Sequence, residues 1–140
     1  MLRPRNRLYH RYILNTMKQE ATGEGAVLTA AERAAILASR TIWEYDDAFI
    51  APRHGFAGAE DYYERCKPLQ FMVGVRIPTL MLASADDPWI PHEPYRGYDW
   101  AANKALRPTL TQHGGHVGFH GIGSRQPWSD TTIAGFFEHG

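Results

Sequence analysis

The stretch Pro78-Thr79-Leu80-Met81-Leu82-Ala83-Ser84, closed by Ala85-Asp86-Asp87-Pro88, constrains the fold of this chain more than any other. A continuous apolar run bracketed by a proline and an Asp-Asp-Pro turn suits a strand buried on both faces, as parallel sheets require. Pro108-Thr109-Leu110-Thr111-Gln112 is a weaker run of the same kind. Parallel neighbours need a crossover of a dozen or more residues. The segment from Trp89 to Leu106 is long enough to hold one, with helix expected around Tyr98–Lys104. The expected class is α/β.

Helical patterns flank this pair. Leu8, Tyr9, Tyr12, Ile13 and Met17 fall on one stripe and predict an amphipathic helix from about Arg5 to Glu20, ended by Gly23-Glu24-Gly25. Thr29-Ala30-Ala31-Glu32 is a capping box, opening an alanine-rich helix to about Arg40 with an extension through Trp43-Glu44-Tyr45. From Asp46 to Gly58 the punctuation by Pro52, Gly55 and Gly58 predicts loop. Ala59–Cys66 reads as a short helix stopped by Pro68, and Thr131–His139 as a closing helix with Ile133, Phe136 and Phe137 facing inward. Two parallel strands leave an incomplete sheet with unpaired amides and carbonyls at an edge. The pattern looks cut from a larger fold.

Charge excludes some classes of partner. Fifteen basic residues balance fifteen acidic ones, which argues against nucleic-acid binding. The basic opening of Arg3, Arg5, Arg7 and Arg11 reads as a solvated helix face. No apolar run approaches the ~18 residues of a membrane span, and no signal-peptide pattern is present. Cys66 is the single cysteine, so no intramolecular disulfide forms and a reducing, cytoplasmic setting is expected.

The chemistry sits where the two strands end. A carboxylate just past the carboxyl end of a parallel strand lies on the rim where open α/β sheets bind ligands. Asp86 and Asp87 both qualify by position, and Asp87 is preferred because Pro88 pins the turn behind it; Asp before Pro is also a common turn opener. His116 follows the second strand within His113-Gly114-Gly115-His116-Val117-Gly118-Phe119. Glycines on both sides give an acid–base imidazole unusual dihedrals and room, whereas His113 and His120 read as supporting or exposed groups. An acid and a histidine so mounted are two parts of a Ser-His-Asp set.

The third part is not evident. None of Ser39, Ser84, Ser124 and Ser129 occupies a Gly-x-Ser-x-Gly elbow, and Ser84 is expected to face the core or pair locally. The usual oxyanion donors, which depend on that elbow, are missing with it. Cys66 reads as a buried filler rather than a nucleophile. His113, His116 and an aspartate could also be read as metal ligands, but a Gly-rich loop lacks the helical scaffold that aims such pairs together. No metal and no cofactor is expected.

Several motifs in fixed order resemble the YheT-like hydrolases of the α/β-hydrolase superfamily. They are Tyr45-Asp46-Asp47, Ala51-Pro52, Gly55-Phe56, Asp61-Tyr62-Tyr63-Glu64-Arg65-Cys66, Pro78-Thr79-Leu80, Ala85-Asp86-Asp87-Pro88, Ala101-Ala102-Asn103 and Gly114-Gly115-His116-Val117-Gly118-Phe119. The resemblance runs from about Arg3 to Trp128. It implies the C-terminal part of an α/β-hydrolase fold, with residues 1–66 as cap helices and connecting loop and residues 67–140 carrying acid and histidine. Leu8, Tyr12, Ile13 and Met17 would then line an acyl-chain pocket or pack on the sheet. It further implies Asp87 as catalytic acid, His116 as base, and a serine nucleophile from a preceding half that is absent here.

Three readings follow. The first is part of a serine esterase acting on a small-molecule or lipid-like carboxylic ester, inactive alone. The second is a non-catalytic subunit whose sheet edge is covered by an N-terminal half or by a second copy. The third is a metal-dependent hydrolase on the two histidines.

Overall fold

In a computed structural model, which describes residues 6–139, the chain divides into two compact units, Met1–Lys67 and Pro68–Gly140. Arg3 and Arg5 of the basic opening lie outside the described residues.

The first unit is helical. Helix α1 (Arg7–Thr22) begins two residues after the expected start and turns a different face inward. Leu14 is buried with Met17 and Ala21 beside it, while Leu8, Tyr9 and Tyr12 are exposed. The stripe expected to pack was thus chosen one step off, with Leu14 rather than Leu8 or Tyr12 turned to the core. Helix α2 (Ala30–Ala38) opens on the capping box. Thr29 Oγ1 accepts the N–H of Glu32 at 3.1 Å, and Glu32 Oε2 accepts the N–H of Thr29 at 2.7 Å. The helix stops before Arg40. The expected extension is instead a new helix, α3 (Ile42–Tyr45), capped by the Thr41 side chain at 3.0 Å from Glu44 N.

The predicted loop at Asp46–Gly58 is mostly helix. α3 runs into a π-helical turn (Asp46–Ile50) and then α4 (Ala51–Arg53). Pro52 donates no backbone hydrogen, and it sits just past a turn widened so that Ala51 N–H reaches Asp46 O. The helix ends where Gly55 (φ 76°) takes the left-handed conformation and Phe56 N–H returns to Ala51 O at 2.9 Å. Pro52 and Gly55 therefore mark a helix end, not a loop. Helix α5 (Ala59–Arg65) follows as expected. Leu14, Ile36, Tyr45 and Phe49 form the core, with Tyr45 and Phe49 edge-to-face at 5.4 Å. Cys66 is exposed rather than buried filler.

The second unit is built on strands β1 (Thr79–Ser84) and β2 (Leu106–Thr111). They pair in parallel from Thr79↔Leu106 to Ser84↔Thr111. Both start and stop within a few residues of expectation. Burial on both faces does not occur: Thr79 to Ala83 are half-buried and only Ser84 is buried in β1. The crossover also differs from the predicted helix around Tyr98–Lys104, being α6 (Glu93–Arg96) followed by a 3₁₀ turn at Trp100–Ala102. Tyr95 and Trp100, stacked at 6.2 Å, lie over one sheet face beside Met81 and Leu110. On the other, α7 (Trp128–His139) packs against β1. Ile133 and Phe137 stay exposed, with Phe136 half-buried, around an apolar groove of about 520 Å³ that Ile77 and Leu80 also line. Asn103 fastens the way into β2, donating from Nδ2 to Met72 O and Val75 O at 2.8 Å each and accepting Ala105 N–H at 2.9 Å. No described helix is long and apolar enough to cross a membrane.

Candidate active site

β1 and β2 end side by side, so the turns that follow them share one rim. From that rim Asp87 Oδ2 lies 3.0 Å from His116 Nδ1. The sequence offered two aspartates, and the structure divides their work. Asp87 Oδ1 accepts the N–H groups of Trp89 and Ile90 at 2.8 and 2.9 Å, while its second oxygen faces the ring. The turn-capping role and the imidazole-facing role therefore belong to the same carboxylate. Capping fixes the carboxylate that orients the ring.

Asp86 serves the loop. Its Oδ1 accepts Gly115 N–H at 2.8 Å and its Oδ2 stands 3.4 Å from His113 Nδ1, on a ring that is otherwise exposed. Ser84 Oγ donates to the carbonyl of the same Gly115. Both backbone polar groups of Gly115 are thus held from β1 and its turn, one residue before His116. Ser84 is buried, as expected, and its partner is not local but 31 residues away in the chain.

Backbone conformation explains two glycines. Gly115 adopts φ 60°, which a side chain strains to reach. A Cβ on Gly114 would lie 2.6 Å from the Phe119 ring and 3.1 Å from Ser84 Cβ. Phe119 itself takes a positive φ of 46°, bending the loop after Gly114 O accepts its N–H at 3.0 Å.

Electrostatics favour an ionised acid. Burial works to raise the Asp87 pKa, but the N–H donors of Ile90 and Trp89, with His116, outweigh it and hold the carboxyl below its ordinary range. Asp86 is lowered too, chiefly by Gly115 N–H. An ionised carboxylate only accepts, so the neutral imidazole carries its proton on Nδ1 and keeps a basic lone pair on Nε2. Trp89 packs edge-to-face with that ring at 4.6 Å, putting an aromatic side chain against the imidazole.

The other candidates do not join this pair. His120 is exposed, and His113 faces Asp86. Among the described residues no three histidines, cysteines, aspartates or glutamates converge to hold a metal ion. Sequence reasoning did not single out Trp89 or the double anchor of Gly115, and it quoted Asn103 only within a motif, without a role. An aromatic directly after Asp-Asp-Pro was the one visible signal. The first unit holds a further polar cluster that sequence missed: Tyr63 donates to the buried Asp46 carboxylate. Burial raises the Asp46 pKa, more than Tyr63 lowers it.

Comparison with known proteins adds relatives. The chain is 34% identical over 133 residues to the putative esterase YheT of Escherichia coli, covering 91% of this chain and 39% of the relative. It is 30% identical over 127 residues to the phospholipase ABHD3 of Mus musculus, covering 89% and 31%. It is 27% identical over 126 residues to an abhydrolase domain-containing protein of Dictyostelium discoideum, covering 89% and 32%. The chain spans well under half the length of these relatives. No family model and no solved structure matches it.

Proposed function

The chain belongs to the α/β-hydrolase superfamily, among its YheT-like members, and from that premise we propose that it supplies the acid and base of a serine esterase. Asp87 orients His116. His116 Nε2 takes the proton of a serine hydroxyl as that oxygen attacks the ester carbonyl, then gives it to the departing alkoxide. Water enters by the same route and the acyl group leaves as a carboxylic acid. The serine comes from sequence outside these residues, because no elbow motif occurs within them. The observation that carries the reading is the 3.0 Å approach of Asp87 Oδ2 to His116 Nδ1.

The first unit is the cap of this enzyme, and the sheet flank of the second is the face on which the nucleophile-bearing part docks. The apolar groove between β1 and α7 supports that docking. The substrate is a carboxylic ester with a lipid-like acyl chain, in line with relatives named esterase and phospholipase. A cytoplasmic location fits the exposed free thiol of Cys66.

The test joins the chain to the sequence encoded upstream and measures hydrolysis of p-nitrophenyl butyrate, with a fluorophosphonate probe reporting the activated serine. Labelling and turnover are expected in the joined protein only. His116→Ala and Asp87→Ala lower turnover by about 10³–10⁴-fold. Asp86→Ala, which loosens Gly115 but leaves Asp87 in place, costs less. A joined protein that turns over equally well without His116 overturns the proposal, as does turnover by the 140-residue chain alone that His116→Ala leaves intact.

A further inference from the structure

One face of α1 opens onto a groove of about 560 Å³ within the first unit, lined by Arg7, His10, Arg11, Leu14, Lys18 and Arg40 among others, and by no carboxylate. Its cations come from two elements. Arg7, Arg11 and Lys18 come from α1 and Arg40 from the α2–α3 link. Lys18 is engaged, donating from Nζ to Leu37 O at 3.0 Å and to Ser39 O, where it satisfies carbonyls at the end of α2. Arg53 and Arg65 have carboxylate partners at 2.7 and 3.3 Å. The guanidinium groups of Arg7, Arg11 and Arg40 have none among the described residues. Glu44 approaches from outside the lining, and it accepts the backbone N–H of Arg40 at 2.7 Å as part of the α3 cap.

This arrangement works against the helix that carries it. Arg7 and Arg11 are one turn apart, and like charges at that spacing repel. Arg7 also lies at the positive end of the α1 dipole, whose first turn holds no acid. An anion in the groove would relieve both.

We propose that the groove binds a phosphate group, carried by a small organic phosphate or by a lipid headgroup. Guanidinium forks on Arg11 and Arg40, which come from different elements, can each meet its oxygens two at a time, and Arg7 adds a third cation to the lining. The apolar base at Leu14, together with a volume well beyond that of a bare phosphate, accommodates an organic body. The site lies wholly in the first unit and does not rest on the esterase reading.

The test titrates the full chain with inorganic pyrophosphate at constant ionic strength, and floats it with phosphatidylcholine vesicles with and without phosphatidic acid. Saturable pyrophosphate binding is expected, weakened about tenfold by R11Q or by R40Q and unchanged in R125Q, an exposed charge in the other unit. Flotation only with phosphatidic acid, lost in R11Q, assigns the phosphate to a lipid. Pyrophosphate binding without flotation assigns it to a soluble molecule. If circular dichroism shows R11Q unfolded, R11K replaces it, keeping the charge and losing the fork for a smaller drop in affinity. Failure of both probes to bind, or equal weakening in R125Q, overturns the proposal.

Discussion

The two units bury their apolar residues very differently. Of the seven buried hydrophobic residues described, Leu14, Ile36, Tyr45, Phe49, Ala51 and Ala59 lie in the first unit and Leu106 alone in the second. Both units also expose apolar side chains, Leu8, Val27 and Leu37 among those of the first and Phe71, Val73, Ile77, Val117, Ile122 and Phe137 among those of the second, so the contrast lies in what is buried. A helix satisfies its backbone within itself, so a few helices can close a core from one short stretch of chain. A sheet satisfies its backbone only through neighbouring strands, and two strands leave faces and edges uncovered. Yet the better-defined chemistry is in the second unit. Strand ends place side chains from distant parts of the sequence side by side, and that does not require a full core.

The sharpest way to break this contrast is a pair of truncations read by urea denaturation. Ile36→Ala removes a fully buried side chain and is expected to cost about 3 kcal/mol. Phe137→Ala removes one that is 80% exposed, at a cost below about 0.5 kcal/mol. Equal losses would show that the second unit has an apolar core of its own.

Next in size is Asn103→Ala. The second unit is held by polar fasteners more than by packing, so removing this amide strands the carbonyls of Met72 and Val75 and the N–H of Ala105. A loss of about 2 kcal/mol is expected, and a neutral result would shift the credit to packing after all. Thr29→Ala, which dismantles the α2 capping box, should cost the first unit about 1 kcal/mol. Its signature is a lower helical melting temperature, with the Trp100 environment unchanged.

The finest discrimination is in the sign of the pH dependence. Asp46 is raised in the folded first unit, so its contribution is fully present below the ordinary aspartate range and is lost as pH rises through the elevated folded value. Asp87 is lowered in the second unit, so its contribution is present above the ordinary range and is lost as pH falls through the depressed value. Asp46→Asn should therefore flatten one limb of the stability profile and Asp87→Asn the other. Melts from neutral to acid pH check this, and flattening of the same limb by both would erase the distinction.

What sequence revealed depended on how local each signal was. The capping box at Thr29–Glu32 and the strand at Thr79–Ser84 are written in adjacent residues, and each reads correctly. The helix between Asp46 and Arg53 was hidden, because Pro52 signals a break unless the preceding turn widens, and that widening is visible only in coordinates. The inward face of α1 was misjudged because periodicity identifies several possible stripes, while burial chooses among them by what α2 and α3 present.

The sequence by itself determined that an acid turn follows one strand and a glycine-framed histidine follows another, and of Asp86 and Asp87 it preferred Asp87. It also determined the superfamily, through short motifs kept in order. Only the tertiary structure decided that Asp87 faces His116 while Asp86 and Ser84 grip Gly115. The reason is one of register: pairing Ser84 with Thr111 brings together turns nearly thirty residues apart in the chain, and no local pattern encodes which oxygen of which carboxylate then lies within reach of a ring.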